Sequence, residues 1–430
     1  MNLPSFPNRK TSNYPWLGSF PAHWVVKRLR FATERIEQGW SPQCDNQAAD
    51  DDAWGVMKVG CVNGDQFDAS ENKALPPELD PKTEYELRPG DVLISRANTR
   101  DLVGSAAIVP SDVRAKLLLC DKLFRIALSP EVDAAYLTFC LRTRAARYQY
   151  EQDATGASGS MQNIGQDAVK NLVLPFPSYS EQQQIAAFLD WKTSQIDALI
   201  AKKQTLLQKL KEKRLAVITQ AVTKGLNPDA PLRDSGIAWL GEVPTHWEVK
   251  RLKWAIMLQR GHDLPADERG QGDVPLVSSA GISAFHDVAI ARAPGIVTGR
   301  YGTIGVFHLI EEDYWPLNTT LYSIDMFGND PKFLRALLES LSPLFLLNSK
   351  KSAVPGVDRN DVHLIEVALP SLEEQNQIAA YISTAEVRHE QVTKNAESAI
   401  TRLTEYRSAL ITAATTGKID VRNVAIPAHA

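Results

Sequence analysis

PSYSEQQQIAAFL, from Pro177 to Leu189, returns as PSLEEQNQIAAYI, from Pro370 to Ile382, 193 positions later. Each copy opens as a capping box. Ser178 and Ser371 are placed to accept a bond from the backbone three residues on, while Glu181 and Glu374 reach back. No proline or glycine then interrupts either copy until Gly225 and Gly417, which read as helix stops. The pattern predicts two helices of roughly 45 residues, each about 65 Å long at 1.5 Å per residue.

Apolar residues recur along both at a seven-residue period. In the first helix one line runs through Leu189, Ile196, Leu210 and Val217, with Lys203 the exception, and a second through Ile185, Leu199 and Leu206. In the second helix Ile382, Leu403 and Leu410 form one line, and Ile378, Ala385, Val392, Ala399 and Tyr406 the other. This period is that of a coiled-coil seam. Two helices lying separately on two domains would also bury an apolar stripe. The shared seam, and the lack of another partner of equal length, favour pairing with each other. The long intervening chain makes the pair antiparallel.

A second repeat frames the chain. YPWLGSFPAHWVVKRL (residues 14–29) returns as IAWLGEVPTHWEVKRL (residues 237–252), so that Trp16, Pro21, His23, Trp24 and Lys27 recur as Trp239, Pro244, His246, Trp247 and Lys250. The chain is therefore two copies of one unit: an aromatic entry segment, a body, and a long helix. The entries repeat at an offset of 223 and the helices at 193, so the second body is 30 residues shorter.

The bodies keep only faint echoes of each other. RPGDVLISRANTRDLVGSAAIV (88–109) and APGIVTGRYGTIGVFHLI (293–310) each read as strand, glycine-bearing turn and returning strand. CDKLFRI (120–126) and NTTLYSI (318–324) read as the next strand. DAAYLTFCLRT (133–143) and DPKFLRALLES (330–340) read as a short amphipathic helix. Each body is thus an α+β domain, closed by a polar loop, 156–171 or 353–365.

Composition narrows the chemistry. With 430 residues the chain has room for two or three cored domains. Its net charge of −4 argues against holding nucleic acid by bulk charge, so such contacts fall to local patches or to partners. Cys44, Cys61, Cys120 and Cys140 lack C-x-x-C spacing, which points to no zinc site or disulfide framework and fits a reduced, cytoplasmic setting. No signal core stands at the amino terminus, and no apolar run approaches the roughly 18 residues of a membrane span. Phosphate loop, zinc-protease pair, nucleophile elbow and amino-methyltransferase motifs are all missing. His23 and His246 sit in a packing motif of tryptophan, proline and glycine, which favours a structural role over catalysis.

Turn residues offer recognition chemistry instead. Arg96, Asn98 and Arg100 in the first body, and Arg300 and Thr303 in the second, fall where a hairpin tip would project them. Arginine pairs bidentately with guanine and asparagine with adenine, although exposed hairpin charges are more often solvated surface. Gln162 and Asn163, and Lys350, Lys351 and Arg359, lie in the closing loops. In the first helix Lys202, Lys203, Lys209, Lys211, Lys213 and Arg214 crowd one span, as a phosphate-facing stripe or a solvated face.

With the WLG-x-x-P-x-HW-x-x-KRL entries, the two diverged bodies and the P-S-x-x-EQ-x-x-IA helix starts in place, the chain resembles the specificity subunits of type I restriction-modification systems over nearly all its length. The resemblance implies two target recognition domains separated by two long antiparallel coiled-coil helices in a tandem-repeat, pseudo-twofold architecture. On that pattern residues 1–176 hold the first entry and recognition domain, 177–225 the first spacer helix, 226–369 a linker and the second domain, 370–417 the second spacer helix, and 418–430 a tail. Each body would read half of a split target on double-stranded DNA. Two methyltransferase subunits, directing adenine methylation, would dock on the repeated frame, for which Trp16, Trp24, Leu199, Leu210, Trp239, Trp247, Val392 and Leu403 are candidates. Restriction subunits, translocase and nuclease, would join to cleave DNA. The chain itself would be non-catalytic and bind no metal, with S-adenosylmethionine, ATP and magnesium on the partners. A coiled-coil structural adaptor would share the helices but explains no pair of bodies. A specificity module of a fused, type II-like methyltransferase-nuclease would need cofactor motifs that are missing here.

Overall fold

The computed structural model describes residues 3–64, 66–154, 161–349 and 356–427. Two compact units emerge, residues 1–201 with 400–430, and residues 202–399. The long helices run Tyr179–Lys224 and Leu372–Thr415. Each begins with its own body and ends in the other unit.

In the first unit an antiparallel sheet carries the strands Thr33–Gln38, Leu123–Leu128, Val92–Ser95 and Ala106–Ile108 in that spatial order. The second unit repeats it with Met257–Arg260, Thr320–Asp325, Gly295–Gly299 and Phe307–Ile310. A three-stranded sheet accompanies each, again with one topology. Gly55–Met57 pairs parallel with Leu117–Leu118 and antiparallel with Asn72–Ala74; Val274–Ser278 pairs parallel with Trp315–Pro316 and antiparallel with Gly281–His286. The shorter second body has therefore lost length from its connections and kept the sheets. The expected hairpins form, with Val92 opposite Ile108 and Gly295 opposite Ile310. The expected helices follow at Ala134–Leu141 and Pro331–Ser340, capped by Asp133 and Asp330 side chains that accept from Tyr136 and Phe333 N–H. The second is amphipathic as expected, whereas the first is buried from Tyr136 to Leu141 and has no polar face.

Each entry strand returns to pair with the strand that launches the long helix. Val25–Arg28 lies antiparallel to Val173–Phe176, and Glu248–Arg251 to Glu366–Leu369. The helix start is thereby fixed to the entry. The glutamates of the expected capping boxes serve this junction instead of their own helix ends. Glu181 accepts from the Trp24 indole at 3.1 Å and faces His23 Nε2 at 3.0 Å. Glu374 does the same for Trp247 at 3.1 Å and His246 at 2.9 Å. Of the boxes, only the Ser371 hydroxyl keeps its bond, accepting from Glu374 N–H at 3.4 Å. The neighbouring glutamines complete the lock. Gln182 accepts from Asp133 N–H and donates to Pro177 O, while Gln375 accepts from Asp330 N–H and donates to Pro370 O.

Helix ends close both cores. In the first unit Leu410, Ile411 and Ala414 of the second helix pack with Trp24, Tyr136, Ile185 and Leu189. In the second unit Ile218, Ala221 and Val222 of the first helix pack with Trp247, Phe333, Ile378 and Ile382. Gly417 and Gly225 stop the helices with φ of 63° and 74°, a region open to glycine at little cost. A Cβ on Gly417 would stand 2.3 Å from Pro21 Cδ, and one on Gly225 3.3 Å from Trp247 Cζ2. Both glycines thus end a helix and make room for an entry segment.

The helices run antiparallel within each unit. In the first, Leu410 and Ala414 share a core with Ile185 and Leu189, and Asp197 pairs with Arg407 at 2.9 Å. In the second, His389 Nε2 bonds Leu210 O at 3.0 Å and Arg214 pairs with Glu386. The seam differs from expectation in its second line. Leu199, Leu206, Val392 and Tyr406 are 48%, 38%, 45% and 52% exposed. Facing residues instead include Arg214, Glu386 and Arg407, each one position past that line, and His389, which takes a place on the first line at which the heptad calls for an apolar residue. Leu210 and Leu403 are half-buried on the inner line.

Candidate nucleic-acid interface

Arg96 leaves the end of the strand Val92–Ser95, and Arg300 the end of Gly295–Gly299. Their backbones are held alike. Arg96 N–H donates to Lys122 O, and its carbonyl accepts from Ile164 N–H at 2.9 Å. Arg300 N–H donates to Thr319 O, and its carbonyl accepts from Val357 N–H at 2.9 Å. In both units the closing loop therefore returns to the hairpin tip. Gln162 and Asn163 pair there with Asn98 and Ala97, which joins two groups of candidates.

The side chains on this shared frame differ. The Arg96 guanidinium lies 6.0 Å from the Phe124 ring centre, and that of Arg300 4.8 Å from Tyr301. Asn98 does not project. It is 7% exposed, donates to Asn63 Oδ1 at 2.7 Å and accepts from Thr99 N–H, which makes it a brace for the tip. Arg100 and Thr303 are exposed. Arg359 is exposed at the start of the short helix Arg359–His363. Lys350 and Lys351 lie outside the described residues. Of the lysine-rich stretch, Lys202, Lys209, Lys211 and Lys213 are exposed, whereas Arg214 turns to Glu339 and Glu386.

A further set of residues at these edges went unread in the sequence. The strand before each arginine's partner ends in Gln38-Gly39-Trp40-Ser41 in one unit and Arg260-Gly261-His262-Asp263 in the other. Trp40 N–H donates to Leu119 O and His262 N–H to Pro316 O, so these tips are also held alike. From them Ser41 accepts from Asp121 N–H at 3.1 Å, and Asp263 accepts from the Asn318 amide and, at 3.2 Å, from Arg260. The glycine was the available signal: a Cβ would stand 2.0 Å from Leu119 O at Gly39 and 2.1 Å from Leu317 O at Gly261.

The sequence pattern of the type I restriction modification DNA specificity domain matches residues 63–212 and again 244–401. The chain belongs to that family. Its two matches cover most of the first body and all of the second, each with part of a long helix. The type I restriction enzyme EcoEI specificity subunit of Escherichia coli is 29% identical over 172 residues, 40% of this chain and 29% of that one. This chain thus spans under a third of that relative's length. Among solved structures, a chain from work on complex assembly and conformational transition of the type I R-M system shares the fold with a TM-score of 0.72 at 15% identity, covering 93% of this chain and 99% of that one. The HsdS subunit from Thermoanaerobacter tengcongensis aligns with a TM-score of 0.52 at 16% identity, covering 95% and 100%.

Cys61, Cys120 and Cys140 are free and buried, and burial pushes Cys120 to about 11 and Cys140 to about 12. No group of metal-binding side chains occurs among the described residues. No helix among them is long and apolar enough to cross a membrane.

Proposed function

We propose that the chain is the DNA sequence-specificity subunit of a type I restriction-modification complex, with each unit reading one half of a bipartite duplex target. The observation that carries this is the frame around Arg96 and Arg300. The same backbone bonds hold an arginine at each tip, yet the residues that follow differ, Ala97 and Asn98 in one unit and Tyr301 and Gly302 in the other. A fixed scaffold with exchangeable side chains is what two readers of unlike half-sites require. The long helices set the separation of the halves. Adding one turn would shift a reader by about 5.4 Å, more than one base-pair step.

The chain is non-catalytic in this reading and works in the cytoplasm. Two methyltransferase subunits dock on the repeated entry and helix frame and methylate adenine in each half-site; restriction subunits cleave. S-adenosylmethionine, ATP and magnesium belong to those partners. A net charge of −4 fits a chain whose partners supply much of the phosphate contact.

Exchange of residues 253–369 for the matching span of a relative tests this. Sequencing of methylated adenines in cells should show one half of the target changed, and the other half and the spacing kept. Changes in both halves, or in neither, would refute it. Arg300→Ala should relax one position of the same half-site, since a bidentate guanine contact is worth about 1–3 kcal/mol. A phosphate contact would instead weaken binding evenly across sequences and lower the salt slope by about one.

A further inference from the structure

Arg260, Asp263 and Asn318 stand together at the end of the second unit's sheet, beside Arg300. Asp263 binds both of the others, Arg260 at 3.2 Å and the Asn318 amide nitrogen. Asn318 precedes Thr319, whose carbonyl accepts the Arg300 N–H at 2.8 Å. Arg260 and Asp263 side chains are 50% and 64% exposed and Asn318 is half-buried, so the cluster opens outward. From the geometry we infer that Arg260 and Asn318 are specificity-determining residues of the second unit, reading base edges next to Arg300, and that Asp263 is the positioning residue that orients them.

Two features separate this cluster from solvated side chains elsewhere on the surface. One is its counterpart. The first unit places Gln38 at the matching strand end, Ser41 three residues beyond it and Asp121 two residues before the partner strand, with Gln38 Nε2 on Asp121 O at 3.0 Å and Ser41 accepting from Asp121 N–H. The strand pairing fixes this equivalence, for Gln38 opposes Phe124 as Arg260 opposes Leu321. Backbone is retained while chemistry changes, as it does in the residues that follow Arg96 and Arg300.

The other is the chemistry itself. Arginine and asparagine are the side chains that pair bidentately with guanine and adenine. A carboxylate between them holds both in a fixed orientation. With one amide hydrogen on Asp263, Asn318 keeps its second hydrogen and its carbonyl oxygen for an adenine edge. On the first unit, Gln38 and Asp121 supply an amide and an acceptor instead, which suits adenine and the cytosine amino group. The two half-sites would accordingly differ in composition at the position next to the arginine contact.

The inference rests on the DNA-reading role proposed above. Its test uses the full chain with its methyltransferase partners in cells, read by methylated-adenine sequencing, and the purified chain in duplex competition binding. Arg260→Ala and Asn318→Ala should each lose about 5- to 150-fold of discrimination at one position in the half-site that the 253–369 exchange alters. Asp263→Ala should blur both positions, and Asp263→Asn, which keeps an acceptor, should restore part of the selectivity. An even loss of methylation with an unchanged target, or no change at all, overturns the inference. If the exchange moves one half-site while these variants move none, the cluster fails and the DNA-reading role stands. If the exchange moves neither half, the role itself has failed.

Discussion

The indole N–H of Trp24 donates to Glu181 Oε1 at 3.1 Å, which ties the entry segment to the first turn of the long helix. Trp247 and Glu374 repeat the bond at 3.1 Å. This pair accounts for both repeated motifs at once, since the tryptophan of HW and the glutamate of EQ are two halves of one junction. Trp24 is fully buried, and the Glu181 side chain is 6% exposed against 25% for Glu374. Removing the acceptor leaves a buried donor without its partner, at a cost of about 1–3 kcal/mol. Glu181→Ala should lower unfolding stability by that amount, and Glu374→Ala by less because water can reach its site. Urea titrations of the two variants compare them directly; equal losses would contradict the burial difference.

An ion pair inside the first unit has no counterpart in the second. Arg125, 9% exposed, bonds Glu37 at 2.8 Å and Asp91 at 3.3 Å and donates to Glu84 and Glu86 carbonyls. At the equivalent places the second unit has Gln259 and Tyr322, 3.5 Å apart. Burial raises the Glu37 carboxyl, but Arg125 and then Arg35 outweigh it and hold the group below the usual value. A depressed carboxylate contributes stability above its unfolded pKa and loses it as pH falls through the folded one. The advantage of wild type over Glu37→Gln should therefore be full at neutral pH, begin to fall near the ordinary glutamate value of about 4.3, and vanish once pH has dropped through the lower folded value. Thermal melts of both proteins across that range measure it, and a gap that widens on acidification would be the wrong sign.

Trp16 packs between Tyr14 and Tyr148, with ring centres 5.2 and 5.6 Å away. Trp239 is partly buried against the core of the second unit. Neither lies on the arginine-bearing tips. Alanine at Trp16 should cost about 3 kcal/mol or less, given its partial exposure, or impair methyltransferase assembly, and in either case leave the methylated sequence unchanged. Phenylalanine should recover most of the loss. A shifted target sequence in Trp16→Ala or Trp239→Ala would move base reading into the frame.

The α+β bodies and the two helices were legible because repeats, strand alternation and glycine stops are local signals. Hairpins at 88–109 and 293–310 formed where alternation placed them. Long-range pairing was less legible. Glu181 read as a cap because Ser178 stands three residues before it, and its actual partner lies 157 residues away. Asn98 read as a projecting tip because nothing local reveals Asn63 beneath it. The latch between Asp263 and Asn318 joins residues 55 apart, and only the repeated glycines Gly39 and Gly261 hint at it.

The seam shows the same limit and yields a sharp contrast. Leu199 and Leu210 both fit heptad lines, but Leu199 is 48% exposed, whereas Leu210 is half-buried and its carbonyl takes the His389 bond. Both lines read as seam because both are apolar, but the inner face also carries Arg214, Glu386 and His389, joined by ion pairs and a backbone bond. Leu210→Asp would set a carboxylate against that face and should cost about 2 kcal/mol or more. Leu403→Asp should behave alike. Leu199→Asp and Val392→Asp should stay within about 0.5 kcal/mol, as exposed substitutions do. Thermal melting separates the two classes, and size-exclusion with the methyltransferase subunit adds a second readout. If Leu199→Asp melts like wild type but no longer binds that subunit, the outer line is a docking face; if it unfolds the chain as Leu210→Asp does, the inner and outer lines have been assigned wrongly.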